Sequence, residues 1–289
     1  MKHCLLILLF ISTSIAAVSQ VVTADVAGGY QVADLRWSIA GNLNGQAINV
    51  LSEIKWRALS GPVVGGRLTI HPTRRWFAAG EVSKCFITAG KATDMDYGDN
   101  NRSLTTYHAQ LDSDEGSMST LRLSGGYYLV HHKNWQLAAS AGYTKNTASL
   151  LLLNHAQEAL RCTYNTTWKG VSGGVSGNYR VVSWLAFDGE LIYSQLKYGA
   201  VADWNLIDAF QHPVSFKHHA RGYEVRMAVS GVVKLNSYLS LFISGVFRHA
   251  ATGSGTDELF LDSGAVQVTQ LNGVFTSARN LSFGARVQF

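Results

Sequence analysis

The chain has 289 residues, with 24 Lys plus Arg against 19 Asp plus Glu, a net charge of +5 and 47% apolar residues. That apolar share at low net charge excludes intrinsic disorder, and 3 cysteines are too sparse for a disulfide scaffold. No Lys/Arg cluster marks a nucleic-acid binder, and charged residues make up only 15%, below the roughly 25% of ordinary soluble domains.

The N-terminus has the three-part layout of a secretory signal peptide. Lys2 gives a positive start, Cys4 to Ala17 an apolar stretch, and Ala17-Val18-Ser19 small residues before Gln20. Residues 1–19 are therefore expected to be removed, leaving 20–289 as one exported domain. Cys85 and Cys162 then remain in an oxidising compartment, but nothing in the sequence sets their strands side by side. Beyond residue 20 the longest apolar run is Leu150 to Leu153, far short of the roughly 18 residues of a spanning helix.

The rest of the chain reads as strands. From Tyr223 to Leu235 the odd positions are apolar or Gly, and the even ones include Glu224, Arg226, Ser230 and Lys234. The same period of two recurs at Leu121 to Leu129, Leu137 to Tyr143, Leu185 to Tyr193 and Phe283 to Phe289. A soluble sandwich and a membrane barrel share that pattern. Three features favour the barrel: aromatics at the strand ends (Trp37, Trp56, Trp76, Tyr127, Trp135, Trp184, Phe289), the uninterrupted 17-residue stretch Leu185 to Val201, and a terminal Phe289 closing an alternating segment.

Turn signals divide the chain. Short turns fall at His71 to Arg74, Val130 to Asn134, Arg180 to Ser183 and Leu235 to Ser237. Longer polar loops fall at Gly41 to Gln46, Gly90 to Arg102, Leu153 to Arg161, Ala202 to Pro213 and Ala251 to Gly264. Their strict alternation predicts an all-β, transmembrane, ten-stranded antiparallel up-and-down β-barrel with five long extracellular loops and short periplasmic turns. The expected location is the bacterial outer membrane. Inward Arg122, Arg226, Asp188, Glu190 and Glu224 should largely fill the lumen, which argues against a passive pore.

Chemistry should then sit in the long loops. Asp94 and Asp96, at i and i+2 on extended backbone, point the same way; like charges held close share a proton or hold a water. The segment Leu51 to Trp56, the acidic loop Asp94 to Tyr97, the approach Gly177 to Arg180 and the terminal Gly284 to Phe289 come in the order and spacing of the omptins. Over nearly the whole mature chain the sequence thus resembles these outer-membrane endopeptidases. The resemblance implies hydrolysis of peptide bonds by a water held between an aspartate pair and an Asp–His dyad. It also implies a peptide or protein substrate, a monomer, no nucleic-acid partner, no cofactor or metal, and activity that depends on lipopolysaccharide.

Asp94 and Asp96 match the first pair, and Asp203 falls on the dyad aspartate. Asn205 falls on the dyad histidine. An amide orients a water but cannot take its proton, so a base must come from Asp203 itself, from His212 across the loop, or more remotely from His108. His131 and His132 lie at a short turn, and His218 and His219 lie down the following strand. The acids that give omptins their basic-residue specificity have no counterpart here; the matching positions lie near Gly45 or Gln46 and at Val201. No run matches the family's lipopolysaccharide-contacting basic residues. Two readings stand: an omptin-type endopeptidase with an altered base, or a catalytically silent omptin-like barrel serving as adhesin or structural protein.

Overall fold

The computed structural model describes residues 21–157 and 159–289; the expected signal peptide lies outside them. Thirteen strands form one antiparallel sheet. In chain order they are β1 (Val21–Ile39), β2 (Ser52–His71), β3 (Trp76–Phe86), β4 (Ala89–Tyr97), β5 (Thr105–Asp112), β6 (Gly116–His131), β7 (Trp135–Leu153), β8 (Arg161–Val182), β9 (Leu185–Asp203), β10 (Phe216–Lys234), β11 (Leu239–Thr252), β12 (Gly255–Phe260) and β13 (Val266–Gln288). The count exceeds the expected ten because three long strands are interrupted, between β3 and β4, β5 and β6, and β11 and β12. Antiparallel pairing runs round the sheet, and β1 pairs with both β2 and β13.

One interruption has a visible cause. Opposite the break at Ile87 and Thr88, the β2 register slips between Arg57 and Ser60. Ala58 there takes φ +52° and donates its backbone N–H to the Asp34 carboxylate at 2.9 Å. A bulge of this kind bends a strand and re-aims what lies beyond it. Beyond it, β4 stays paired with β2 and forms a hairpin with β5 on its other side. Asp94 and Asp96 therefore stand on a strand, where the turn signals predict a loop from Gly90.

The four short turns fall where expected, and exposed aromatics ring that end: Trp76, Trp135, Trp184, Tyr238 and Phe289. A second exposed set, Tyr30, Phe86, Tyr143, Tyr193 and Tyr223, lies toward the other end, with apolar side chains such as Val26, Val82, Leu123, Leu191 and Val229 between. This is the outer face of a membrane-spanning sheet, apolar between two girdles. Trp37 and Trp56 do not belong to either girdle. Both point inward and are buried, because they occupy the inner parity of β1 and β2.

The inner face carries two layers. In the membrane-spanning half, Glu81 and Glu190 bind Arg67, Arg122 and Arg226, with Arg122 to Glu190 at 2.9 Å and Arg226 to Glu81 at 3.0 Å. Beside this lattice a cavity of about 500 Å³ runs from Thr120 and Arg248 to Asp25, His71 and Arg286. Above it, Trp56 stacks on Tyr164 at 5.1 Å, and Trp37 packs edge-on against Phe216 and His218. His218 is fully buried, with Nδ1 2.8 Å from the Tyr164 hydroxyl and Nε2 3.1 Å from Asp257. The aromatic layer separates the cavity from the loop end and floors whatever lies above.

Both the orientation and the lattice can be tested. Single cysteines at Asp99 and Ser254, in a Cys85- and Cys162-free protein, should react with an impermeant thiol reagent on intact cells, and one at Lys133 should not; equal labelling would reject the orientation. Glu190→Ala leaves Arg67, Arg122 and Arg226 to share Glu81 alone, a loss of up to about 3–5 kcal/mol for a broken buried pair. It should markedly lower the temperature at which the folded band disappears on a gel, and an unchanged temperature would count against a structural role for the lattice.

Candidate active site

Above the aromatic floor, two walls face each other. One is β4, whose inner parity carries Ala92, Asp94 and Asp96; Ala92 and Asp94 are buried and Asp96 is half-buried. Asp94 stands opposite Ile54 on one side and Ala109 on the other, and Asp96 opposite Ser52 and Tyr107. The second wall is the end of β9 and the loop after it. There Asp203 accepts a hydrogen bond from His212 Nδ1 at 2.6 Å, and the Ser215 hydroxyl approaches the same carboxylate oxygen at 3.4 Å. The loop brings His212 back because Ser215 N donates to Ala202 O and Phe210 bridges to Leu261, which closes the loop beside β9.

Trp204 joins the walls. It is buried against Phe216, its backbone N–H donates to the Ser215 hydroxyl, and its side chain hydrogen-bonds Asp94. Burial, and then the charge of Asp96, push the Asp94 carboxyl up to about 7; the Trp204 hydrogen bond works the other way. A carboxyl this weakly acidic is about half protonated at neutrality. The hydrogen bond to Asp203 raises His212 above its ordinary value. With Nδ1–H held by a carboxylate, Nε2 is the ring nitrogen left to act as base; the Ile207 carbonyl beside the ring also favours the charged form.

Cys162 lies between the walls. Burial pushes its thiol up to about 11, with Asp94 and Asp203 both adding to the shift, which sets both carboxylates within electrostatic range of one point. Among the described residues both cysteines are free, so no disulfide links Cys85 and Cys162. Tyr107 stands in the same field: partial desolvation raises its phenol although the residue is exposed, and Asp94 and Asp96 add to it.

Asn205 has a different task. Its Oδ1 accepts from Arg161 N at 3.0 Å and its Nδ2 donates to Ala159 O at 2.7 Å, so both polar ends tie the loop after β9 to the loop before β8. His108 alternates with Tyr107 and so faces away from the aspartates. His218 belongs to the floor. The structure thus groups Asp94, Asp96, Asp203 and His212, with Asn205 at the rim. Trp204, Tyr107 and Cys162 do not stand out in the sequence; the position of Trp204 next to Asp203 was the one available hint.

The sequence model of the family described as Pom, Protochlamydia outer membrane protein, matches residues 25–287. The chain belongs to that family. Its place is the outer membrane, in agreement with the two aromatic girdles. No curated sequence matches it. Among solved structures it is similar to the outer membrane protease OmpT from Escherichia coli, with a TM-score of 0.76 at 13% identity over 96% of this chain and 99% of that one. It also aligns with the outer membrane protein OprG from Pseudomonas aeruginosa (TM-score 0.42, 12% identity, 92% and 95% covered). The translocator domain of the autotransporter NalP from Neisseria meningitidis aligns similarly (TM-score 0.39, 12% identity, 92% and 88% covered). The omptin resemblance thus holds at the level of fold, in a chain whose family is Pom.

Proposed function

We propose that this Pom-family protein is an omptin-type outer-membrane endopeptidase built on a closed barrel of ten staves. The observation that carries the proposal is the Asp203–His212 pair opposite Asp94 and Asp96, in a groove floored against the lumen. A water in the groove gives its proton to His212 Nε2 as it attacks the scissile carbonyl. Asp203 holds the ring in that tautomer and balances the imidazolium that forms. The Asp94–Asp96 pair, carrying one proton, holds the water with its carboxylate and donates to the developing oxyanion from its carboxyl. No step needs Asn205; the base reaches Asp203 from the far side of the loop.

An anionic glycolipid such as lipopolysaccharide is the proposed membrane partner. Lys145, Lys169, Lys197 and Arg221 stand directly opposite one another across β7, β8, β9 and β10, all exposed on the outer face. Just below them, Tyr193 and Tyr223 stack with ring centres 6.2 Å apart. Like charges directly opposite across strands repel. None of the four is in an ion pair among the described residues, so an external anion relieves the row.

The test is a digest of a mixed peptide pool by refolded protein, with and without lipopolysaccharide. Cleavage is expected, and Lys169→Glu with Lys197→Glu should remove the lipid's effect. No cleavage under either condition would leave a silent barrel and reject the endopeptidase.

A further inference from the structure

The β4–β5 hairpin is flanked by β2 on one side and rises past the end of β7 on the other. β5 pairs with β4 along its length, but with β7 only at Asp112 opposite Leu153. β7 ends at Leu153 and β8 begins at Arg161, so from Thr105 to Leu111 the second edge of β5 has no strand beside it. Among the described residues no other backbone group bonds that stretch. Thr105, Thr106, Tyr107, His108 and Gln110 are exposed.

A free edge is a template for another chain, and proteins usually blunt it with Pro, Lys or a bulge. Neither Pro nor Lys occurs from Thr105 to Leu111, and the register against β4 is regular from Asp112 to Tyr107. The edge instead adjoins the site. Tyr107 is directly opposite Asp96 and Ala109 directly opposite Asp94.

Charge and polarity narrow what fits. Apart from Asp94 and Asp96 in the groove and Asp99 at the tip, the acids around the hairpin already face bases: Glu53 meets Lys55 and Arg102, Asp112 meets Lys91, Asp114 meets His155 and Glu115 meets Arg161. Apolar surface is what stays open, with Leu104 69% and Tyr107 49% exposed on the hairpin and Leu206 40% exposed on the facing loop.

We infer that the open edge of β5 takes up an extended polypeptide as an added strand, with bulky apolar side chains at alternate positions turned toward Tyr107. This names the substrate class for the endopeptidase proposed above and rests on that reading for its biological sense, though binding is separable from cleavage. Main-chain hydrogen bonds hold the segment, and alternate side chains select it. Seven residues at about 3.3 Å each give the edge a length of roughly 23 Å.

The experiment uses the refolded full-length barrel carrying Asp94→Asn, so that binding is read without turnover. The probe is a fluorescein-labelled octapeptide alternating Phe or Val with Ser, followed by anisotropy. N-methylating every second amide in one register should weaken binding at least tenfold, and the other register should change it less than threefold. Replacing the apolar residues by Lys should also weaken binding at least tenfold, and Tyr107→Ser should narrow that preference. The inference is overturned if the parent peptide does not bind, if both methylated peptides bind like the parent, or if the Lys peptide binds as well. Binding with this signature, but no cleavage by the unmutated protein, would reject the catalytic reading and leave the edge site standing.

Discussion

Replacing His212 by alanine is expected to lower peptide hydrolysis by about 10²–10⁴-fold, the usual contribution of a positioned general base. The loss should appear in kcat, because the ring removes a proton and does not hold the peptide. Asp203→Asn should cost nearly as much, since an amide in place of the carboxylate no longer fixes Nδ1–H or balances the imidazolium. The double variant should be little worse than either single one, as expected for groups acting as a unit. Asn205→His is the informative control. Counting along the strand places Asn205 where the omptin histidine falls, yet its amide is spent on Arg161 N and Ala159 O. A histidine there would lose those bonds without displacing His212, so no gain is expected. A large gain from Asn205→His, with His212→Ala unaffected, would show that the base belongs on the β9 side and would overturn the assignment.

Much of the scaffold was legible because period-two alternation and short turns are local signals. The four turns and the inward charges Arg122, Arg226 and Glu190 all follow from parity along a strand. Parity also orders Asp94 and Asp96 on one face. What it does not give is where a strand is interrupted. The bulge at Ala58 and the break at Ile87 and Thr88 depend on how β2 and the next strand fit together, so the hairpin carrying the aspartates reads as loop. Trp37 and Trp56 read as girdle residues because a strand-end aromatic looks alike from either face; their inward parity assigns them to the floor. The partner of Asp203 is legible only as one candidate among others. His212 stands across the loop in the sequence, but the return through Ser215 and Phe210 that brings it to Asp203 is set by tertiary contacts. A free strand edge has no one-dimensional signature at all, since it is defined by a neighbour that ends early.

The second large effect is on the carboxylate side, and its signature is the pH profile. Asp94→Asn should reduce hydrolysis by at least about 10²-fold, because the amide neither shares a proton with Asp96 nor donates it to the oxyanion as a carboxyl does. In the unmutated protein the active form has His212 neutral and the aspartate pair singly protonated. Activity should therefore rise with pH as His212 loses its proton, and the bond to Asp203 sets that limb above the ordinary histidine value of 6.5. It should fall again as Asp94 ionises near 7, the point to which burial and Asp96 have pushed it. The two limbs overlap, so kcat/KM should trace a narrow bell close to neutrality whose apparent constants belong to the coupled groups. Each limb moves with its cause. Trp204→Phe removes a hydrogen bond that favours the ionised Asp94, so the alkaline limb should shift to higher pH. Asp96→Asn removes the neighbouring negative charge, so whatever activity survives should show that limb at lower pH. Asp203→Asn releases His212 toward its ordinary value, so the acid limb should move down as the rate drops. A profile flat across neutrality, or a Trp204→Phe limb that moves to lower pH, would mean that the aspartates do not share the catalytic proton.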